Sequence, residues 1–170
     1  MKKDGNLFEV LKQNFPADLD KLFIVDNGGE NYSYRDTINL SARFANYLTA
    51  LGLKQGDRVA VQVQKSPQAL MVYLACVRAG LVYIPLNTGY QFPELAYFFG
   101  DAKPSLVIGD PASADALTKL AEQVGSRFET LSADGSGSLI TNAAAAPVDF
   151  STVSCDENNL AAILYTSGTT

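Results

Sequence analysis

Between Arg58 and Leu131 the chain alternates short β-branched or aliphatic runs with longer stretches of helical apolar spacing, and this alternation constrains the fold more than any other feature. Gly56-Asp57 turns into Arg58-Val59-Ala60-Val61-Gln62-Val63, a run suited to a strand buried on both faces. Pro67 suits the first turn of a helix, and apolar positions at Leu70, Leu74 and Val77 carry that helix to Gly80. Leu81–Pro85 then reads as a strand, Phe92–Asp101 as a helix, Ser105–Gly109 as a strand, Ala112–Val124 as a helix and Arg127–Leu131 as a strand. Strand and helix in strict succession predict an α/β fold: a layered, mostly parallel sheet with flanking helices.

Upstream, Leu7, Phe8, Val10, Leu11 and Phe15 recur at helical spacing before Pro16. Lys21–Asp26 reads as a strand, Asn27-Gly28-Gly29 as a turn and Asn31-Tyr32 as the returning strand of a hairpin. Ser33 with Asp36 three residues on has the form of a capping box, and the helix it opens runs through Ile38, Phe44, Leu48 and Leu51 to a left-handed cap at Gly52.

A length of 170 residues predicts one domain, and a hydrophobic share of 47% against a charged share of 18% separates the chain from disordered sequences. A net charge of −5 with scattered Lys and Arg lacks the basic footprint of a nucleic-acid binder. Arg35, Arg43, Arg58, Arg78 and Arg127 read as surface or sheet-edge charges. With no histidine, a Ser-His or Cys-His nucleophile pair cannot be built from these residues, and no metal site is expected. Cys76, inside the apolar run Leu70–Val77, reads as a packing thiol, and two well-separated cysteines suit a reducing compartment. That run is about eight residues long where a membrane span needs about 20, and no apolar stretch follows Lys2-Lys3, so the reading is cytoplasmic with no membrane partner.

Asp134–Ser138 and Ala143–Pro147 are rich in Gly, Ser and Ala and read as surface loop. Gly135-x-Gly137 does not complete a dinucleotide fingerprint, because position 140 is Ile140. Leu160–Tyr165 reads as an apolar strand running into Thr166-Ser167-Gly168-Thr169-Thr170. Such a segment serves either as an anion loop, with hydroxyls and glycine-adjacent N–H groups facing phosphate oxygens, or as an ordinary polar turn. It is not a Walker A loop, which needs Gly-Lys-Ser/Thr, and Tyr165 stands where a nucleophile elbow needs glycine.

Tyr165-Thr166-Ser167-Gly168-Thr169-Thr170 resembles the opening of the phosphate-binding signature of the adenylate-forming superfamily, which comprises acyl-CoA synthetases, luciferases and the adenylation domains of peptide synthetases. Arg78–Asn87 is similar to that family's "RAGxVYxPLN" element, and Glu94–Ala102 followed by Pro104 is similar to the element after it. Gly56–Ala60 and Tyr32-Ser33-Tyr34 also fall where the family has them, so the resemblance covers nearly the whole chain. Gln64-Lys65-Ser66 with Leu86–Tyr90 looks most like the malonyl-CoA synthetases, which commonly show "EKS" and "PLNTAY"; Gln64 and Gly89 depart from that pattern.

The resemblance implies that residues 1–170 are the N-terminal portion of an AMP-binding domain, cut from a larger ligase of acyl and fatty acid metabolism. It implies ATP, Mg²⁺ and coenzyme A as cofactors of the complete enzyme, with a small carboxylate, malonate favoured, as substrate. Thr166, Ser167, Gly168, Thr169 and Thr170 would hold the ATP phosphates. The catalytic lysine, the magnesium-binding glutamate and the acyl pocket would lie in the missing C-terminal part, so no catalytic residue is expected here and the segment alone should be inactive. Two alternatives stand beside this reading: an adenylating ligase that loads a carrier protein, and a non-catalytic folding or interaction module.

Overall fold

A computed structural model describes residues 5–26 and 28–166. The order is α1 (Leu7–Lys12), β1 (Leu22–Val25), β2 (Asn31–Ser33), α2 (Tyr34–Ala50), β3 (Arg58–Gln62), α3 (Pro67–Arg78), β4 (Val82–Pro85), α4 (Phe92–Ala102), β5 (Leu106–Gly109), α5 (Ala114–Gln123), β6 (Arg127–Thr130) and α6 (Ser138–Ala143). β1 and β2 form an antiparallel hairpin, while β3–β6 form a four-stranded sheet in the order β4-β3-β5-β6, parallel throughout.

Side-chain alternation divides this sheet into two faces. Val59, Val61, Leu106 and Ile108 pack with α1, α2, α3 and α6, including Phe8, Phe44, Leu48, Met71 and Leu139. Ala60, Ile84 and Val107, one residue out of phase, pack with α4 and α5 through Leu95, Phe99, Leu117 and Leu120. Helices on both faces explain why β5 is buried at every position and why its sequence, Leu-Val-Ile-Gly, carries no polar alternation.

Local chemistry sets the helix ends as the sequence predicts. At α2 the Asp36 N–H donates to Ser33 Oγ (3.1 Å), while the Ser33 hydroxyl (2.6 Å) and then the Ser33 N–H (2.8 Å) donate to Asp36 Oδ2, and these last two bonds hold the Asp36 carboxyl below its usual range. The helix ends where Gly52 adopts φ +93°. Ser66 Oγ accepts the Ala69 N–H at 3.1 Å and Pro67 opens α3. Cys76 is fully buried, and burial pushes its thiol well above the ordinary value, as a packing thiol requires.

Three expectations are corrected. Arg78 is not a surface charge: it is 4% exposed, and its Nη1 donates to Ile38 O (2.7 Å) and Ser41 Oγ (2.8 Å) while Nη2 donates to Phe150 O (3.0 Å). Its guanidinium lies 4.4 Å from the centre of the Phe8 ring, and burial lowers its pKa from the ordinary arginine value. The Gly/Ser-rich stretch is not wholly loop, because Ser138–Ala143 forms α6 and Leu139 and Ala143 are fully buried. Glu129 of β6, also buried, accepts hydrogen bonds from Tyr47, Ser138 and Asn142, which ties α6 to α2 and satisfies the carboxylate with neutral donors. The third correction concerns Leu160–Tyr165, which makes one parallel bridge, Tyr83 to Ala162, rather than a full strand.

The chain reaches that bridge from the far edge of the sheet. β6 and β4 are opposite edges, so residues 144–161 must return across the α2/α3 layer. Side chains from that layer and from the start of α1 take the carbonyls of this strap: Asn46 Nδ2 donates to Pro147 O (2.9 Å) and Asp149 O (2.8 Å), Arg78 to Phe150 O, and Asn6 Nδ2, at the N-cap of α1, to Val153 O (2.8 Å). Among the described residues no helix is long and apolar enough to cross a membrane.

Two measurements test this packing. Arg78→Met removes the bonds to the α2 turn and the strap and leaves buried acceptors unpaired, so urea denaturation should show a loss of about 2–4 kcal/mol, with Arg78→Lys recovering only part. Gly137, at φ +137°, has no room for a side chain because a Cβ would stand 2.3 Å from Thr130 O. Gly137→Ala should therefore cost about 2 kcal/mol or more by the same assay.

Candidate functional site at the carboxyl edge of the sheet

Parallel strands deliver their carboxyl ends to one edge, the usual location of ligand crevices in open α/β sheets. Here that edge holds Gln62, Pro85, Gly109 and Thr130, and the Leu160–Thr166 segment arrives beside it in the same direction. The Tyr83 N–H donates to Ala161 O (3.0 Å) and the Ile163 N–H donates to Tyr83 O (3.0 Å). Parallel pairing alternates donor and acceptor along a strand, so the next donor from β4 would be residue 85. That residue is Pro85, which has no N–H, and the ladder stops there.

Side chains take over beyond this point. The Tyr165 ring lies against Phe98 of α4, with centroids 4.3 Å apart and planes inclined by 30°. Its hydroxyl donates to Asp101 Oδ2 at 2.6 Å, one helical turn beyond Phe98. The Tyr90 hydroxyl donates to Tyr165 O at 3.4 Å, and the Tyr90 ring meets Phe98 edge-on at 5.0 Å. Burial, with the Asp101 carboxylate adding to it, pushes the Tyr165 phenol up to about 12, so it stays a hydrogen-bond donor near neutral pH. Tyr90 is placed in turn by Gln62, 5% exposed at the end of β3, whose Nε2 donates to Asn87 O (2.8 Å) and Tyr90 O (3.3 Å). Ile163 and Tyr165 pack on the α4/α5 face, whereas Leu160 and Leu164 are 62% and 70% exposed.

Of the sequence-predicted phosphate residues, Thr166 is exposed at the end of this segment, and Ser167, Gly168, Thr169 and Thr170 lie outside the described residues. Gln64-Lys65-Ser66 and Leu86–Tyr90 leave the neighbouring strands β3 and β4 at the same edge. Gln62, Tyr90, Phe98 and Asp101 have no site role in the sequence reading, although Tyr90, Phe98 and Asp101 lie inside its family-like segments. A signal existed for two of them, since Phe98 and Asp101 at i and i+3 share a helix face. Among the described residues no group of three His, Cys, Asp or Glu side chains converges to hold a metal ion. The Thr166 hydroxyl fits a phosphate oxygen, while the described carboxylates form no magnesium cage.

A groove also opens between the hairpin and the start of α3, lined by Asp26, Glu30, Lys65, Ser66 and Asp134. Its carboxylates outnumber its one lysine, which disfavours an anion there.

Comparison with known proteins agrees with this architecture. The long-chain-fatty-acid–CoA ligase FadD13 of Mycobacterium tuberculosis is 33% identical over 141 residues, which cover 81% of this chain and 27% of that protein. The crystal structure of apo MatB from Rhodopseudomonas palustris superposes with a TM-score of 0.94 at 47% identity, covering 99% of this chain and 33% of MatB. ATP-bound MatB from the same organism gives 0.94 at 48% identity with the same coverage. The chain thus spans about a quarter to a third of the length of these relatives. The family description "AMP-binding enzyme" matches residues 11–170, and the chain belongs to that family.

Proposed function

We propose that this chain is the N-terminal portion of the AMP-binding domain of an ATP-dependent, AMP-forming acyl-CoA ligase that acts on malonate. The observation that carries the reading is the delivery of Thr166 to the carboxyl edge of a parallel sheet in a chain 48% identical to ATP-bound MatB; Ser167-Gly168-Thr169-Thr170 follow it in sequence. Malonate is favoured by the resemblance of Gln64-Lys65-Ser66 and Leu86–Tyr90 to the malonyl-CoA synthetases, and the 47% identity to MatB is in keeping with it.

The reaction has two steps. A carboxylate oxygen attacks the α-phosphorus of ATP and pyrophosphate leaves, giving an acyl-adenylate. The thiolate of coenzyme A then attacks the acyl carbonyl and AMP leaves. In the first step Thr166, Ser167, Gly168, Thr169 and Thr170 hold the β- and γ-phosphates, which fixes the α-phosphorus for in-line attack and stabilises charge on the departing pyrophosphate. Magnesium shares that charge when bound. The acyl pocket and the groups that act on the carboxylate belong to the rest of the enzyme, so the role of this segment is positional. The two cysteines, with Cys76 buried and neither in a disulfide, suit a cytoplasmic enzyme.

ATP–pyrophosphate exchange by the full-length protein should respond to malonate at least about tenfold more than to acetate or octanoate; equal or lower exchange with malonate removes the substrate assignment. AMP release should then depend on free coenzyme A, and release that needs a phosphopantetheinyl protein instead would assign the enzyme to carrier loading. Residues 1–170 alone should give no exchange. Ser167→Ala and Thr169→Ala should each lower kcat/KM for ATP by about tenfold or more, the effect of losing one hydrogen bond to a charged group.

A further inference from the structure

Where the β4 ladder ends at Pro85, the last residues before Thr166 are held, among the described residues, by side-chain contacts. Three contacts converge on Tyr165: the Phe98 ring, the Asp101 carboxylate and the Tyr90 hydroxyl. Phe98 and Asp101 ride on α4, whose Leu95 and Phe99 are rooted in the core, and Tyr90 sits on the loop that Gln62 holds. Tyr165 itself leaves the sheet edge with Leu164, 70% exposed, on one side and the exposed Thr166 on the other. Among the described residues this side chain makes the contacts that hold the backbone there, so the direction in which the chain leaves the sheet follows from how its ring and hydroxyl are held.

We propose that Asp101 and Phe98 are positioning residues for ATP: they lock Tyr165, and through it fix the point and direction from which the backbone enters Thr166, the first residue of the proposed phosphate-binding sequence. This rests on the function proposed above. Neither side chain touches substrate; each acts by removing freedom from the entry to the phosphate loop. Tyr165 contributes two separable parts, a ring that stacks on Phe98 and a hydroxyl that donates to Asp101. Tyr165→Phe and Asp101→Asn disturb the same bond, so their effects should not add.

The test uses the full-length protein with Tyr165→Phe, Asp101→Asn, the double variant, and Tyr165→Leu, which removes ring and hydroxyl together. In malonate-dependent ATP–pyrophosphate exchange, Tyr165→Phe and Asp101→Asn should each raise KM for ATP by about three- to tenfold, with KM for malonate changed by less than about twofold. The double variant should match the single variants within about twofold, and Tyr165→Leu should exceed them. Amide hydrogen exchange in peptides covering residues 160–170 should accelerate in all four, while peptides from β3 and β5 stay unchanged. ATP KM values at the wild-type level with unaltered hydrogen exchange would overturn the proposal, as would singles whose effects multiply or ATP and malonate KM values that rise together with a fall in Tm. If the wild-type protein exchanges with no carboxylate, the proposed function fails, and hydrogen exchange at residues 160–170 alone decides the clamp.

Discussion

Arg78 carries a buried charge beneath the Phe8 ring, and its hydrogen bonds run to neutral oxygens on α2 and on the strap at Phe150. The need behind this arrangement is topological. A parallel sheet must be covered on both faces, so the helices after β3, β4 and β5 take up the two sides, and the chain finishes β6 at the edge opposite β4. To bring Thr166 to the other edge, the backbone must cross the outside of the α2/α3 layer without a ladder to bond with. Its part-buried carbonyls at Phe150 and Val153 would be costly to leave unpaired, and Arg78 and Asn6 satisfy them, while Asn46 takes the exposed carbonyls of Pro147 and Asp149. The guanidinium suits this role because its donors fan out in a plane and reach α2 and the strap at once.

The same logic continues at the far end of the strap. Tyr83 captures residues 161–163 by two backbone bonds, after which Pro85 closes the ladder. Early termination of a strand at the carboxyl edge of the sheet frees the backbone exactly one residue pair before the glycine and hydroxyl sequence begins, and the aromatic contacts on α4 replace the lost order. Pairing continued through Tyr165 would have held the approach to Thr166 in an extended ladder conformation; ending it at Ile163 lets side-chain chemistry choose another direction.

Much of this was legible in the sequence because the governing forces are local or periodic. The β-branched run at Val59–Val61, the Ser33/Asp36 box, Pro67 at the start of α3 and Gly52 at the end of α2 each follow from steric preference or short-range hydrogen bonding, and each stands where it was expected. Arg78 was misjudged because residue type predicts exposure for arginine on average, whereas its burial depends on oxygens 40 and 72 positions away in sequence. The α6 helix was hidden by its small-residue flanks; what stabilises it is Leu139 in the core and Glu129 reaching across from β6. Leu160–Tyr165 has strand composition, but pairing needs a donor from the neighbour, and that neighbour offers Pro85. For the candidate site, the resemblance supplied the expectation that residues 166–170 hold phosphate, while the contacts on Tyr165 join positions 64 and 67 residues apart that no spacing rule connects.

The division of labour that results explains why a segment with no histidine and no metal-binding cluster among its described residues belongs to an AMP-binding enzyme. In the proposed reaction, transfer of an adenylyl group to a carboxylate asks less for a proton-transfer group than for fixed geometry around a departing pyrophosphate. Hydroxyls and backbone N–H groups serve that need at any pH near neutrality, because neither titrates there. Their value depends on being held still, and a doubly covered parallel sheet supplies rigidity only as far as its ladders extend. The last step from the sheet to Thr166 therefore falls to groups whose own positions are set by the core: Gln62 at the end of β3, Tyr90 on the loop it holds, and Phe98 and Asp101 on α4.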